Sequence, residues 1–341
     1  MNETSESITL LANSTSSEEC ILRSSLYVKI IINIFYGPLI IFGIGGNLLV
    51  MLTICRRTFS SVTHLFIFNL SFNDTLALLT LVPTNMIIDI WIKKWPLGNI
   101  GCKCTTFAQV LTVYTTILTH VIIAMDRYAN IYWPFKWRSF MTHKKGKILI
   151  SSIWLCNCSY ASLFTYRRYV NENQECVEMS EYSNFFSKFQ LIVEYIIPVG
   201  LTSFFYFSII LKVGTRNIPG IIDSNREHRV AMSRRRMVKM LITIWLLYAV
   251  CQLPRLIIYE LLQNFCITYL RDMWMVSVLI SSSPAVHNPI VYAWMNPKYR
   301  SSMIKDFYRI FRKNKNKKQQ IRMAQLAIVN RREAAGPSSS K

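Results

Sequence analysis

The chain has 341 residues, 52% hydrophobic and 17% charged, with a mean hydropathy of +0.26 and a formal net charge of +21. A water-soluble domain carries about 25% charged residues, so the composition argues against a soluble enzyme and for a chain that lives largely in lipid. The basic residues are clustered, and contact with anionic inner-leaflet lipid accounts for them without a nucleic-acid partner.

Residues 1–26 form a polar tail with four Glu and one Arg. Asn2-Glu3-Thr4 and Asn13-Ser14-Thr15 are glycosylation sequons, which fits an extracellular segment. The tail has no basic start and no early apolar run, so a cleavable signal peptide is not expected and the first apolar run would act as an uncleaved anchor. Seven apolar runs follow, at about 27–55, 62–90, 102–132, 147–166, 186–213, 238–262 and 270–293. Each approaches or exceeds the roughly 20 residues a helix needs to cross hydrocarbon. They are too long and too continuous for barrel strands of roughly ten alternating residues. Lipid offers no partners for backbone groups, so the runs are read as helices.

Basic residues set the orientation. Arg56 and Arg57 follow the first run, Lys144, Lys145 and Lys147 precede the fourth, Arg234-Arg235-Arg236 precede the sixth, and a Lys/Arg-rich tail follows the seventh. The positive-inside bias makes these segments cytoplasmic. Seven crossings then leave the N-terminus outside and the C-terminus inside, in the plasma membrane. Asn69, Asn73 and Asn157 also match the sequon pattern but fall inside runs, where no glycan can sit. Residues 167–185 and 214–236 read as the two long loops. Residues 298–312 place Tyr299, Met303, Phe307 and Ile310 at three- or four-residue spacing between basic residues, the pattern of an amphipathic helix on the inner membrane surface. The domain reading is an extracellular tail at 1–26, a bundle with its eighth helix at 27–312, and a basic disordered tail at 313–341. The fold expected is all-α, a seven-transmembrane helix bundle with a short eighth helix.

Short polar signatures sit at fixed places among the runs. Gly46-Asn47 lies in the first, Asn69-Leu70 and Asp74 in the second, and Trp95-Pro96-Leu97-Gly98 before Cys102 at the third. Asp126-Arg127-Tyr128 closes the third; Trp154, Pro198 with Tyr206, and Pro254 follow; Asn288-Pro289-Ile290-Val291-Tyr292 closes the seventh. Charged groups in hydrocarbon are costly and mark function. In this order and at these places they resemble a rhodopsin-like (class A) G-protein-coupled receptor across about residues 27–312.

The resemblance implies several roles. Asp126, Arg127, Tyr128, Tyr206 and Tyr292 would couple to a heterotrimeric G protein, with Arg127 paired to Asp126 at rest. Arrestin and receptor kinases are further partners it implies. Pro198, Ile117, Tyr248, Gln252, Pro254, Asn288 and Pro289 would form the activation switch. Asp74, Asn47, Thr116 and Asn288 would hold an allosteric sodium ion, since a carboxylate with hydroxyl and amide oxygens suits a hard cation. Cys102 and Cys176 would form a disulfide; Cys20 and Cys266 offer a second. Cys104, Cys156, Cys158 and Cys251 are read as buried thiols.

The chain departs from the family's pattern in three places. Arg234-Arg235-Arg236 stands where an acid often holds the third-span arginine. Gln252 replaces the usual tryptophan two residues before Pro254. Pro284 and Ala285 replace polar residues near the sodium pocket.

For the ligand, Gln109 occupies the place where amine receptors carry an aspartate, and Ser282 the place of the retinal lysine, so neither ligand is expected. Gln109, Glu194, Arg255, Tyr259 and Asp89 are the candidate ligand residues. Glu194 and Arg255 either pair structurally or leave Arg255 to receive a ligand anion. A charged rim over a polar pocket favours a peptide. Alternatives are a small anionic lipid or metabolite, or a receptor-like protein with constitutive or no G-protein coupling. A transporter would show paired broken helices and repeated halves, and no enzyme constellation or cofactor motif appears.

Overall fold

The computed structural model describes residues 25–56, 61–84, 94–179, 188–214, 225–264, 269–297 and 299–309. Asn2, Asn13, Cys20, Asp89, Cys266 and the tail at 313–341 lie outside the described residues. Among the described residues six helices are long and apolar enough to cross a membrane: Leu26–Arg56, Val62–Leu81, Gly98–Tyr132, His143–Tyr166, Lys188–Val213 and Arg235–Leu262. The seventh span is two helices end to end, Leu270–Ser282 and Pro284–Met295. The result is a seven-span bundle in which span three packs against spans two, four, five and six.

The outward faces carry large apolar side chains, such as Phe35, Phe42, Leu155 and Phe207. Lipid is as apolar as these side chains, so packing and interhelical hydrogen bonds hold the helices together. Three discarded sequon asparagines make such bonds. The Asn69 amide donates to the Thr119 hydroxyl at 3.0 Å and its oxygen accepts from the Trp154 indole at 2.9 Å. Asn73 donates to the Thr112 carbonyl and the Thr116 hydroxyl, and Asn157 to the Thr115 hydroxyl. Spans two, three and four are thereby cross-tied. Each such tie in a bilayer contributes about 0.6 kcal/mol. Gly46 lets span one approach span seven: a Cβ there would meet the Pro289 ring at 2.8 Å.

Several expectations need correction. Span three begins at Gly98 rather than 102, because Gly98 (φ +62°) takes the left-handed turn that opens the helix. Span six runs 40 residues, Asn225–Asn264, so the reading of 214–236 as a loop fails over its second half. At 1.5 Å per residue this helix is about 60 Å long, twice the bilayer core. Its N-terminal part is rich in Arg and Met, which are good helix formers. The segment 133–142 contains a short helix, Pro134–Phe140, with proline in its first turn. The loop after span four contains a two-stranded antiparallel hairpin, β1 Arg168–Val170 and β2 Cys176–Glu178, so among the described residues the fold is all-α except for this element.

Span seven breaks at Ser283. Pro284 has no N–H to continue the ladder. The hydroxyls of Ser281, Ser282 and Ser283 fold back onto the carbonyls of Val278, Val278 and Ile280 at 2.9, 2.9 and 2.7 Å, and such back-bonding bends helices. Pro38, Pro254 and Pro289, in contrast, sit inside continuous helices.

Residues 299–309 are helical. The face turned to the bundle is Tyr299, Ser302, Met303 and Asp306, while Phe307, on the stripe expected to meet the membrane surface, is exposed. Arg56, the last residue of span one, pairs with buried Asp306 at 3.5 Å and turns that face inward. Cys104 and Cys156 are exposed on the outward faces of their helices, and Cys158 and Cys251 are half-buried, which corrects their reading as buried thiols.

Candidate functional site

At one end of the bundle Cys102, one turn inside span three, is bonded to Cys176 on β2. Trp95 packs against this disulfide, donates its indole N–H to the Gly98 carbonyl at 2.9 Å and its backbone N–H to the Gln174 carbonyl at 2.6 Å. Arg167 and Arg168 both pair with Glu178, at 3.5 and 3.3 Å. The hairpin is thus tied to span three.

Below the hairpin lies a cavity of about 270 Å³. Of the sequence candidates, Gln109, Glu194, Arg255 and Tyr259 all line it. The structure gives the Glu194–Arg255 pair a geometry: Arg255 Nη2 lies 3.2 Å from Glu194 Oε2. The Glu194 side chain is 3% exposed and that of Arg255 20%. Glu194 sits within a π-helical turn, Ile192–Ile196. Such turns inside α-helices are frequent at functional sites. Gln190, which sequence reasoning missed, donates to the other carboxylate oxygen from one turn earlier. Tyr114 and Tyr160 share a 2.6 Å hydrogen bond between spans three and four.

The lower end of the cavity reaches Asp74, Thr116 and Asn288. Asn288 donates to Asp74 Oδ2 at 2.7 Å. Asn47 donates to the Gly43 and Ala285 carbonyls, at 2.9 and 2.7 Å. The oxygens open to a hard cation are the Asp74 carboxylate, the Thr116 hydroxyl and the amide oxygens of Asn47 and Asn288, whose nitrogens do the donating, while Pro284 and Ala285 add no side-chain oxygen.

In the middle of the bundle Ile117 and Tyr248 are buried and Pro198 is half-buried. The Tyr248 ring packs on His120 at 4.9 Å between centroids. Gln252 donates to the Ser281 carbonyl of span seven at 3.1 Å and accepts from Arg255 Nε at 3.4 Å.

At the opposite end, Arg127 Nη2 lies 3.3 Å from Asp126 Oδ2. Asp126 is 2% exposed and also accepts from the Thr63 hydroxyl at 2.7 Å, the Asn130 amide at 3.0 Å and the Trp137 indole at 2.9 Å. Trp137 carries no signal in the sequence, because its reach depends on the short helix that presents it. Tyr206 and Tyr292 are buried here, and Tyr292 stacks on Tyr299 at 5.8 Å. Tyr128 packs against Tyr132 and Phe205. Burial keeps the Tyr299 hydroxyl well above its ordinary pKa, opposed by the positive charge of Arg127, so the stack is neutral.

Seven spans around a cavity that holds the Glu194–Arg255 pair, with a disulfide-anchored hairpin above it and a carboxylate-held arginine at the far end, are the architecture of a multi-pass membrane receptor. The chain belongs to the 7 transmembrane receptor (rhodopsin family), whose family model matches residues 46–292. It is 30% identical to the RYamide receptor of Drosophila melanogaster over 84% of this chain and 65% of that protein. It is 28% identical to the Neuropeptide F receptor of the same organism, over 78% of this chain and 60% of that protein. It is 26% identical to the Neuropeptide Y receptor type 2 of Mus musculus, over 82% and 76%. The chain thus spans less than two thirds of the length of both Drosophila relatives.

Proposed function

We propose that this chain is a cell-surface receptor for an extracellular peptide and that it activates heterotrimeric G proteins by outward motion of span six. The observation that carries the reading is the placement of a cavity holding the charged Glu194–Arg255 pair at one end of span three and the Asp126-Arg127 pair at the other. A peptide binding between spans three, five, six and seven would shift a pre-existing equilibrium. Arg127, Tyr206 and Tyr292 would then meet the G protein, and the two buried tyrosines become reachable only once span six moves. Relatives named for RYamide, neuropeptide F and neuropeptide Y support a peptide over an amine or a lipid. Basic Arg56, Lys144, Lys145 and Arg236 at the Arg127 end support a cytoplasmic location for that end. Arrestin and receptor kinases belong to the same proposal. The test is a panel of RYamide, neuropeptide F and neuropeptide Y peptides beside lipids and amines, applied to cells bearing the chain and read with several G-protein sensors. A response to peptides alone is expected, and a response confined to lipids or amines overturns the reading.

Two further outcomes follow from this reading. With Arg234 in place of an acid, the resting state lacks a charge-assisted bond of about 1.5–3 kcal/mol, and resting equilibria of this kind keep about 0.1–10% in the minor state. Ligand-free signalling is therefore expected to be measurable in a G-protein sensor assay, and Arg234→Glu to lower it; a rise in Arg234→Glu defeats the argument. For sodium, Asp74, Thr116 and the amide oxygens of Asn47 and Asn288 would form the site. Raising NaCl against a choline chloride control is expected to lift the melting temperature of the purified receptor, and Asp74→Asn to remove that increment. An equal increment in both proteins removes the site.

A further inference from the structure

Gln252 is the residue at which this chain departs most from its family, and its contacts give the departure a purpose. The amide bridges two groups of opposite character. Arg255 Nε can only donate and the Ser281 carbonyl can only accept. The Gln252 oxygen must therefore face Arg255 (3.4 Å) and its nitrogen must face Ser281 (3.1 Å). Arg255 in turn is held by Glu194 of span five, and Glu194 by Gln190. One hydrogen-bonded chain thus runs from span five through span six to span seven. It ends on the last turn before the break at Ser283, where a span is easiest to move. The Ser283 hydroxyl lies 3.6 Å from Cys251 Sγ, so spans six and seven touch here through two adjacent residues. Gln190, Glu194, Gln252, Arg255 and Ser281 all line the cavity.

We propose that Gln252 is a latch that fastens span six to the broken segment of span seven, and that Arg255 sets it. The proposal rests on the receptor reading above and names how the same cavity is regulated. Arg255 is the more exposed member of its ion pair, so a ligand group reaching the cavity floor meets the guanidinium. A hydrogen-bond acceptor on the ligand, a carbonyl or a carboxylate, draws the guanidinium from Gln252. The amide then loses the donor that orients it, and span six is freed from span seven. Gln252 is a positioning residue and contacts the ligand only through Arg255.

The test needs neither ligand nor G protein. Spin labels are placed on purified receptor at Lys144→Cys and Arg236→Cys, both at exposed positions, with exposed Cys55, Cys104 and Cys156 replaced by serine. Distance distributions then report how far span six stands from span four. Gln252→Met keeps the length of the side chain and removes both hydrogen bonds. The long-distance population is expected to rise roughly fivefold, the factor one ordinary hydrogen bond supplies. Gln252→Glu has nearly the same shape and still accepts from Arg255, but it cannot donate to the Ser281 carbonyl. It is expected to open span six as well, and it carries the test should the Met variant not fold. Arg255→Lys retains a cation for Glu194 but loses Nε–H, and a smaller opening is expected. Val250→Ala, at an exposed position of span six with no part in the bond chain, is expected to match the parent. Parental distances in Gln252→Glu, or equal opening in Val250→Ala, overturn the latch. Opening in Gln252→Met alone marks a packing role and also overturns it. Unchanged distances in Arg255→Lys remove the part assigned to Arg255. A negative peptide panel would reject the receptor reading without altering these distances, so the two failures are distinguishable.

Discussion

Replacing Arg127 by alanine is expected to abolish G-protein activation while leaving receptor at the cell surface largely intact. The reason is the company Asp126 keeps. The carboxylate is almost fully buried, and loss of its cation would ordinarily strand a charge at a cost of about 3–5 kcal/mol. Here Thr63, Asn130 and Trp137 still donate to it, and hydrogen bonds to the charged form favour it. Folding therefore survives Arg127→Ala, and the loss falls on signalling. Surface immunostaining beside a G-protein sensor, read with the peptide that activates the parent, checks both halves. Normal activation by the variant would remove the role proposed for Arg127.

The Glu194–Arg255 pair is expected to behave in the opposite way, with the loss falling on folding. Both charges sit inside the bundle, and removing one partner of such a pair costs about 3–5 kcal/mol. The two single substitutions should differ. Arg255→Gln leaves the 3% exposed Glu194 with Gln190 as its remaining charge-stabilising donor among the bonds described, so this variant should lose most folded receptor. Glu194→Gln leaves Arg255, whose side chain is 20% exposed to the cavity and open to water, so its loss should be smaller. The exchanged double variant, Glu194→Arg with Arg255→Glu, should recover part of the deficit. Thermal melting and surface expression measure these effects. If Arg255→Gln instead expresses normally and only agonist potency falls, Arg255 serves the ligand and the structural pairing contributes little. Normal expression with normal potency rejects both readings.

The seven spans were legible because hydrocarbon permits few solutions. A run of 20 or more apolar residues has nowhere else to go, and its backbone must close its own hydrogen bonds. Polar residues inside those runs stood out for the same reason, which is why Asp74, Glu194, Arg255 and Asn288 could be picked before their partners were known. The eighth helix was visible in its spacing, but the residues it turns to the bundle were not. Asp306 looks like a solvent residue until Arg56, 250 positions earlier, is brought beside it.

What the sequence by itself determined is therefore the number of crossings, the class of the protein and the polar positions that matter. What only the tertiary structure decided is how those positions join. Pro38, Pro254 and Pro289 sit inside continuous helices, whereas Pro284 breaks its span, because three back-bonding serines precede it. The π turn at Ile192–Ile196 carries Glu194, and the reach of Arg255 from the neighbouring helix closes the pair. Gln252 read in sequence as a missing tryptophan and is, in the fold, a bond between spans six and seven. The physical reason is common to all three: a local pattern encodes whether a segment is helical and apolar, whereas the partner of a polar side chain is set by helices far away in the chain.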